Sequence, residues 1–241
     1  MSERDAVIRK VRALLEHERR VNLHSHPIKI DVSAGAVVLE GEVADLAAKK
    51  LALALAAGVD GIRGVVDRLH VAPGESKGDG AIRDSLRALV LAQPELRNCT
   101  LRFDVKGGLE TAREAAGDLA GEIDIAIANG VITLEGRVIS LSHKRLVGVL
   151  AWWTPGCRDV VNSLEVTPAE EDNDAEVADA LRLVLEIDPL VVAETISVRA
   201  SNYVVTLEGH TRTAQQRRRA EFDAWALFAV DRVINKIEVR G

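Results

Sequence analysis

The chain has 241 residues, a formal net charge of −6 and an ordinary globular balance of 47% hydrophobic and 28% charged residues. This balance excludes long disordered stretches, and the acidic excess argues against a general nucleic-acid-binding protein, which usually carries basic excess. Only 3% of the residues are aromatic and none precedes Phe103, so the first third of the chain must build an aliphatic core.

The amino-terminal segment has no apolar stretch of the kind that a secretory signal needs, because charged residues interrupt it from Glu3 to Arg12. The richest apolar window, residues 51–59, is far shorter than the roughly 18 residues that a transmembrane helix requires. We therefore expect a soluble cytoplasmic protein, or a periplasmic one if the natural start lies further upstream.

One pattern occurs three times, as AGAVVLEGEV at 34–43, NGVITLEGRV at 129–138 and NYVVTLEGHT at 202–211. The glycine of each LEG serves as a reference position, namely Gly41, Gly136 and Gly209. Every copy has a pair of aliphatic residues 24 and 25 positions further on and a valine 30 positions further on. Ungapped agreement over this length indicates duplication of one small domain.

The periodicity predicts five elements in every copy: a helix, two strands, a second helix and a closing strand. Apolar residues at i, i+4 and i+7 predict the first helix, with Ser2, Asp79 and Asp174 as candidate caps. Alternating segments predict the first strands at 28–33, 123–128 and 196–201. The turns after them are predicted at Ala34-Gly35, Asn129-Gly130 and Ser201-Asn202, where small or turn-forming residues tolerate positive φ.

The second half of each copy is predicted from the same alignment. Second helices are expected at 46–57, 141–153 and 214–228, and closing strands at 65–71, 160–166 and 233–239. The fold class is therefore α+β, with three tandem α-β-β-α-β units at 1–72, 79–167 and 174–241, each a small three-stranded sheet under two helices. The middle copy has an insertion at about 100–121, for which we expect a short strand and a short helix. The acidic segment at 167–174 is interpreted as a solvated linker.

The repeated unit resembles the BON domain (bacterial osmotically induced and nodulation). The family pattern G-V-V-x-L-x-G-x-V stands here as residues 130–138, and V-x-x-V-x-N-x-L-x-V closes the unit around Asn162. Copy one departs from it with Asp67 in place of the asparagine, and copy three has Ala229 where a glycine is usual.

The resemblance implies a non-enzymatic binding module of osmotic-stress or envelope physiology, with a phospholipid or membrane surface as the ligand. The alternative is a cytoplasmic ion-sensing or protein–protein scaffold protein, with a protein partner or self-association. No P-loop, nucleophile elbow, HExxH or CxxC is present, so we predict no enzyme and no cofactor. The net charge of −6 predicts no nucleic-acid partner.

A pair of cations recurs eight and nine positions after each reference glycine. These are the candidate contacts for anionic headgroups: Lys49, Lys50, Lys144, Arg145, Arg217 and Arg218. Each such charge near an anionic surface contributes about 1 kcal/mol. The other interpretation is the solvated face of an amphipathic helix.

Three tryptophans are candidates for an interface or a pocket. Trp225 aligns with Trp152, which suggests core or inter-unit packing, whereas Trp153 has no aligned counterpart. The three reference glycines are interpreted as structural, since a glycine inside a strand marks a bulge or a close backbone approach.

Two further features could suggest chemistry. His24 and His26 have the spacing of metal ligands on a strand, but no third ligand accompanies them, so we expect a loop and no metal. Cys99 and Cys157 are interpreted as free thiols, although a disulfide stays open.

Overall fold

The structure is a computed structural model that describes residues 3–241, so the candidate cap Ser2 lies outside it. Each repeat contains the predicted helices and strands in the predicted order. The first repeat contains α1 (Glu3–His17), β1 (Ile28–Ser33), β2 (Ala36–Val43), α2 (Leu46–Ala57) and β3 (Gly64–Val71). The third contains α5 (Asp174–Ile187), β10 (Ile196–Ser201), β11 (Val204–Thr211), α6 (Ala214–Ala226) and β12 (Arg232–Val239). The second adds two strands to this order and contains α3 (Asp79–Ala92), β4 (Cys99–Val105), β5 (Gly108–Arg113), β6 (Gly121–Ala128), β7 (Val131–Val138), α4 (Leu141–Trp153), β8 (Asp159–Asn162) and β9 (Glu165–Val166).

The sheets share one topology, which confirms the α+β fold class. In the first and third repeats the middle strand pairs antiparallel with the first strand and parallel with the closing strand. Alternating strand residues such as Val37, Leu39 and Leu69 are buried together with Val11 and Ala52 of the helices. The two helices therefore cover one face of each sheet and leave the other face open.

The chain divides into two compact units, residues 1–72 and 73–241. The first unit is the first repeat, and its core is entirely aliphatic, as the distribution of aromatic residues predicts. The second unit contains the second and third repeats. The core of the second repeat includes Phe103, with Trp152 and Trp153 packed against it.

The insertion in the second repeat is a β-hairpin, so the predicted short helix is wrong. Gly107 and Gly108 have φ of 118° and 125° and turn the chain from β4 back into β5. β4 pairs parallel with β6, and Arg102 Nε donates to Asp124 Oδ1 at 2.5 Å across that pair. The sheet thereby widens to the order β5-β4-β6-β7-β8, with β9 also paired to β7. Pairing with β4 outweighs the helix-forming composition of residues 109–121.

Asp79 and Asp174 hold hairpin turns instead of capping helices. They are the first residues of α3 and α5, whose caps are Gly78 and Asn173. The Asp174 carboxylate accepts from the backbone N–H groups of Asn202 and Tyr203, at 2.8 and 2.9 Å. Each aspartate thus fixes the hairpin of its own repeat to the start of the first helix.

The second repeat has the same arrangement, in which Asp79 accepts from the N–H groups of Asn129 and Gly130, at 3.0 and 2.8 Å. In the third repeat the turn is Asn202-Tyr203, one position later than predicted, because β10 continues through Ser201.

The reference glycines sit where a side chain would strike the neighbouring strand. A Cβ on Gly136 would lie 2.1 Å from the carbonyl oxygen of Glu122, and one on Gly209 would lie 2.1 Å from that of Thr195. A Cβ on Gly41 would lie 2.7 Å from the carbonyl oxygen of Pro27. All three have positive φ between 116° and 145°, a range that disfavours any residue with a Cβ.

Both cysteines are free and buried, which confirms the interpretation as thiols. Burial raises the pKa of the Cys99 thiol above its ordinary value.

Candidate functional site

The six candidate headgroup contacts separate into two buried cations and four with exposed or half-buried side chains. Lys49 and Arg145 are buried at 5% and 1% exposure, so the prediction that they form an exposed basic edge is wrong. A buried charge needs a nearby partner, and both have one. The candidate contacts for anionic headgroups are therefore reduced to the other four cations.

Lys49 lies inside the first repeat, beneath the closing strand. Its Nζ donates to the carbonyl oxygen of Leu69 at 2.6 Å and lies 3.0 Å from Asp67 Oδ2. The ammonium thus ties α2 to β3.

Arg145 occupies the face of α4 that meets the segment before α5. Its Nη2 donates to Asp172 Oδ1 at 2.5 Å, while Nε and Nη1 are buried without a partner. Glu170 accepts from the backbone N–H of Leu141 at 2.7 Å, at the start of α4. The segment interpreted as a solvated linker therefore binds the second repeat through two of its acids.

The four remaining cations are Lys50, Lys144, Arg217 and Arg218. Arg217 and Arg218 are both exposed in the first turns of α6, and we call them the α6 cation pair. Lys144 is half-buried, with its Nζ 5.0 Å from the centre of the Phe228 ring, and burial lowers the pKa of its ammonium. Phe228 itself is 45% exposed. Lys50 is half-buried in the first unit.

The three tryptophans differ in what they contact. Trp225 is buried and its indole N–H has no hydrogen-bond partner, whereas Trp152 packs on the core of the second repeat. Trp153 reaches the third repeat, where its Nε1–H donates to Asp223 Oδ1 at 2.9 Å. The Arg219 guanidinium lies over the Trp153 ring at 4.8 Å.

A buried acidic pair, Asp188 and Asp223, adjoins Trp153, and no sequence motif indicates it. Arg219 Nε donates to Asp188 Oδ2 at 2.5 Å and lies 3.6 Å from Asp223 Oδ1. Burial raises the pKa of Asp223 to about 8, since Arg219 only partly offsets the loss of hydration. The signal available in the sequence is that Asp223, three positions after Ala220 and next to Ala224, falls on the apolar face of α6.

Every repeat leaves the same aliphatic position exposed on the open face of its sheet. The residues, 25 positions after each reference glycine, are Val66, Val161 and Ile234, at 40%, 44% and 39% exposure. Each lies on the closing strand, beside Val38, Thr133 and Thr206 of the middle strand.

The histidines of the HSH segment lie in the turn that precedes β1. Asn22 Oδ1 accepts from the backbone N–H groups of His24 and Ser25, both at 3.0 Å. No group of three or more His, Cys, Asp or Glu side chains over residues 3–241 could hold a metal ion.

A family model for the BON domain matches residues 4–73, 100–168 and 173–241, which is most of the chain. The chain belongs to the BON domain family. BON domains are generally non-catalytic binding modules, regarded as phospholipid-binding or envelope-stress domains. The second match includes the inserted hairpin and leaves α3 outside it.

A search of curated proteins found no match to this BON protein. Among solved structures, it is similar to the C-terminal domain of CdsD, the structural protein of the type III secretion system of Chlamydia trachomatis, at 12% identity and a TM-score of 0.25, over 100% of both chains. A second CdsD structure gives 13% identity and a TM-score of 0.25, over 98% of this chain and 92% of that chain. Likenesses at this level say nothing of what this chain binds.

Within the described part of the chain, none of the helices has the length and apolar character needed to span a bilayer.

Proposed function

We propose that this chain is a non-enzymatic BON protein that binds the surface of anionic phospholipid membranes through the α6 cation pair. The observation that carries the proposal is the exposure of both guanidinium side chains, Arg217 and Arg218, in adjacent positions of one helix. The BON family supplies the expectation of a phospholipid ligand.

Electrostatics supports a peripheral contact of moderate strength. Each basic side chain near an anionic surface contributes about 1 kcal/mol, and salt screens that attraction. Exposed Phe228, next to the Lys144 ammonium, places an aromatic ring beside a cation, an arrangement suited to the boundary between headgroups and acyl chains.

Vesicle co-sedimentation tests the proposal with the full chain. We expect pelleting with vesicles of phosphatidylglycerol and phosphatidylcholine at low salt, and none with phosphatidylcholine alone. Replacement of both arginines in R217Q/R218Q removes about 2 kcal/mol, so affinity should fall roughly thirtyfold. Equal pelleting of the variant and the wild type would refute the role of the α6 cation pair.

The matched control removes two exposed arginines elsewhere in the third repeat. Arg199 and Arg232 lie on its strands β10 and β12, and R199Q/R232Q produces the same change in net charge. We expect this variant to keep most of the vesicle affinity. A loss as large as that of R217Q/R218Q would mean that net charge alone determines binding.

A second candidate function is self-association as a scaffold, favoured by the exposed aliphatic residues Val66, Val161 and Ile234. Their recurrence on the open sheet face of all three repeats gives the chain three equivalent apolar contact points. Sedimentation velocity over a concentration series tests this function, with V66T/V161T/I234T as a variant that keeps β-branched residues. A wild-type monomer at every concentration would contradict it.

A further inference from the structure

The contact between the second and third repeats contains two buried carboxyl groups and one cation. Asp188 is 2% and Asp223 is 0% exposed, and Arg219 faces both of them. With both acids ionised, the cluster carries one negative charge that no cation in it balances. A buried unbalanced charge is strongly unfavourable, so the cluster favours uptake of one proton.

The hydrogen bonds assign this proton to Asp223. Both oxygens of Asp188 already accept, Oδ2 from Arg219 and Oδ1 from the backbone N–H of Leu190 at 2.9 Å. Asp223 Oδ1 accepts from Trp153, but Asp223 Oδ2 is buried without a donor. A proton on Oδ2 turns that orphaned acceptor into a donor, and the Asp188 carboxylate, with which Asp223 interacts, can accept from it.

The second repeat contributes to shielding the Asp223 carboxyl group from solvent. Trp153, the last residue of α4, donates its indole N–H to Asp223 and lies under the Arg219 guanidinium. Asp188 and Leu190 follow α5, and Arg219 is on α6 itself. Separation of Trp153 from α6 would give water access to the Asp223 carboxyl group, and hydration favours its ionised form.

We propose that docking of the third repeat onto Trp153 of the second takes up one proton at the Asp188–Asp223 pair, so that this contact loosens as the pH rises. The inference is independent of phospholipid binding, since it invokes none of the exposed cations.

The raised pKa of Asp223, about 8, gives the pH range and the sign. Between the pKa of a hydrated aspartate, about 4, and the value in the docked state, the docked form binds one more proton than the open form. The docking equilibrium then falls about tenfold per pH unit over this range and becomes constant above pH 8.

The test follows hydrogen exchange at the indole N–H groups of the full chain by NMR from pH 6 to 9. The chain has three tryptophans, so W153F assigns the Trp153 signal. After correction for base-catalysed exchange, protection of the Trp153 indole N–H should fall about fiftyfold between pH 6 and 8. The buried indole of Trp225, which makes no hydrogen bond in the cluster, serves as the internal reference and should keep its protection.

Two substitutions distinguish this proposal from general alkaline destabilisation. D223N cannot lose a proton, so its Trp153 protection should stay constant across the range. D188N removes the neighbouring negative charge that raises the Asp223 pKa, so the loss should end at a lower pH and be smaller between pH 6 and 8 than in the wild type. D231N, at an exposed acid of the same repeat, should behave as the wild type. Constant protection of Trp153 in the wild type, or an unchanged pH profile in D188N or D223N, would overturn the proposal.

Discussion

Asp67 Oδ2 lies 3.0 Å from Lys49 Nζ in the first repeat, at a position where the other repeats carry an asparagine. In the second repeat, Asn162 Nδ2 donates to the carbonyl oxygen of Lys144 at 2.9 Å. In the third, Asn235 Nδ2 donates to the carbonyl oxygen of Arg217 at 3.3 Å. An ionised aspartate has no proton to donate, so a side-chain ammonium from the same helix position supplies the link in the first repeat.

We therefore predict that D67N destabilises the first repeat, although it restores the residue of the other two. The substitution leaves the buried Lys49 ammonium with the Leu69 carbonyl but without its counter-charge, at a cost of about 1–3 kcal/mol. The double variant K49M/D67N removes the buried charge and should recover most of that loss. Calorimetric unfolding of the full chain measures both effects.

The control for this pair is Lys29→Gln, which removes an exposed cation at 3.3 Å from Glu40 in the same repeat. A surface pair of this kind contributes little, so the change should stay below about 1 kcal/mol. If D67N and K29Q have the same small effect, the Lys49–Asp67 pair is not a structural link.

The repeats and their element order could be predicted from sequence because their signals are local and periodic. Turn residues, strand alternation and the reference glycines each depend on neighbours close in the chain, and three copies reinforce one another. Gly136 illustrates this, since its positive φ and its approach to Glu122 belong to one hairpin. The prediction of structural roles for these glycines depends on local geometry alone.

The burial of Lys49 and Arg145 could not be predicted in the same way. Alignment placed the cations at the same two positions in all three repeats, but the burial of Lys49 and Arg145 depends on partners 18 and 27 residues away, Asp67 and Asp172. The acidic pair at Trp153 depends likewise on a contact between two repeats. Tertiary partners of this kind leave no periodic signal in a single sequence.

Gly136→Ala should destabilise the second repeat, and Gly136→Val should do so more strongly. The added Cβ would lie 2.1 Å from the Glu122 carbonyl oxygen at a φ of 116°, so the strand must shift as well as strain, at a cost of at least about 1–3 kcal/mol. Gly74→Ala is the control, because a Cβ there has no atom within 4 Å. Thermal unfolding measures both, and an unchanged Tm for Gly136→Val would refute the structural role.

Arg145→Gln should destabilise the second unit, whereas Arg218→Gln should not. Loss of the guanidinium leaves Asp172, whose side chain is 21% exposed, without its buried partner, at a cost of about 2–4 kcal/mol. Arg218 is exposed on α6, so its loss should change stability by less than about 0.5 kcal/mol. Urea unfolding separates these outcomes. If both variants change the free energy of unfolding by the same small amount, Arg145 is not a buried structural cation and is again a candidate surface contact.

Acidification should weaken the second repeat through His143. Burial lowers the pKa of this imidazole below its ordinary value of about 6.5, and Ser140 Oγ lies 2.6 Å from its Nδ1. Below pH 6.5 the unfolded chain binds a proton that the folded chain does not, so the free energy of unfolding decreases as the pH falls toward the lowered pKa. His143→Gln cannot titrate and should lose this part of the pH dependence, while His210→Gln, at an exposed histidine, should retain it. Unfolding curves at pH 5, 6 and 7 make the comparison. If His143→Gln and the wild type decline in parallel, the acid sensitivity arises elsewhere in the chain.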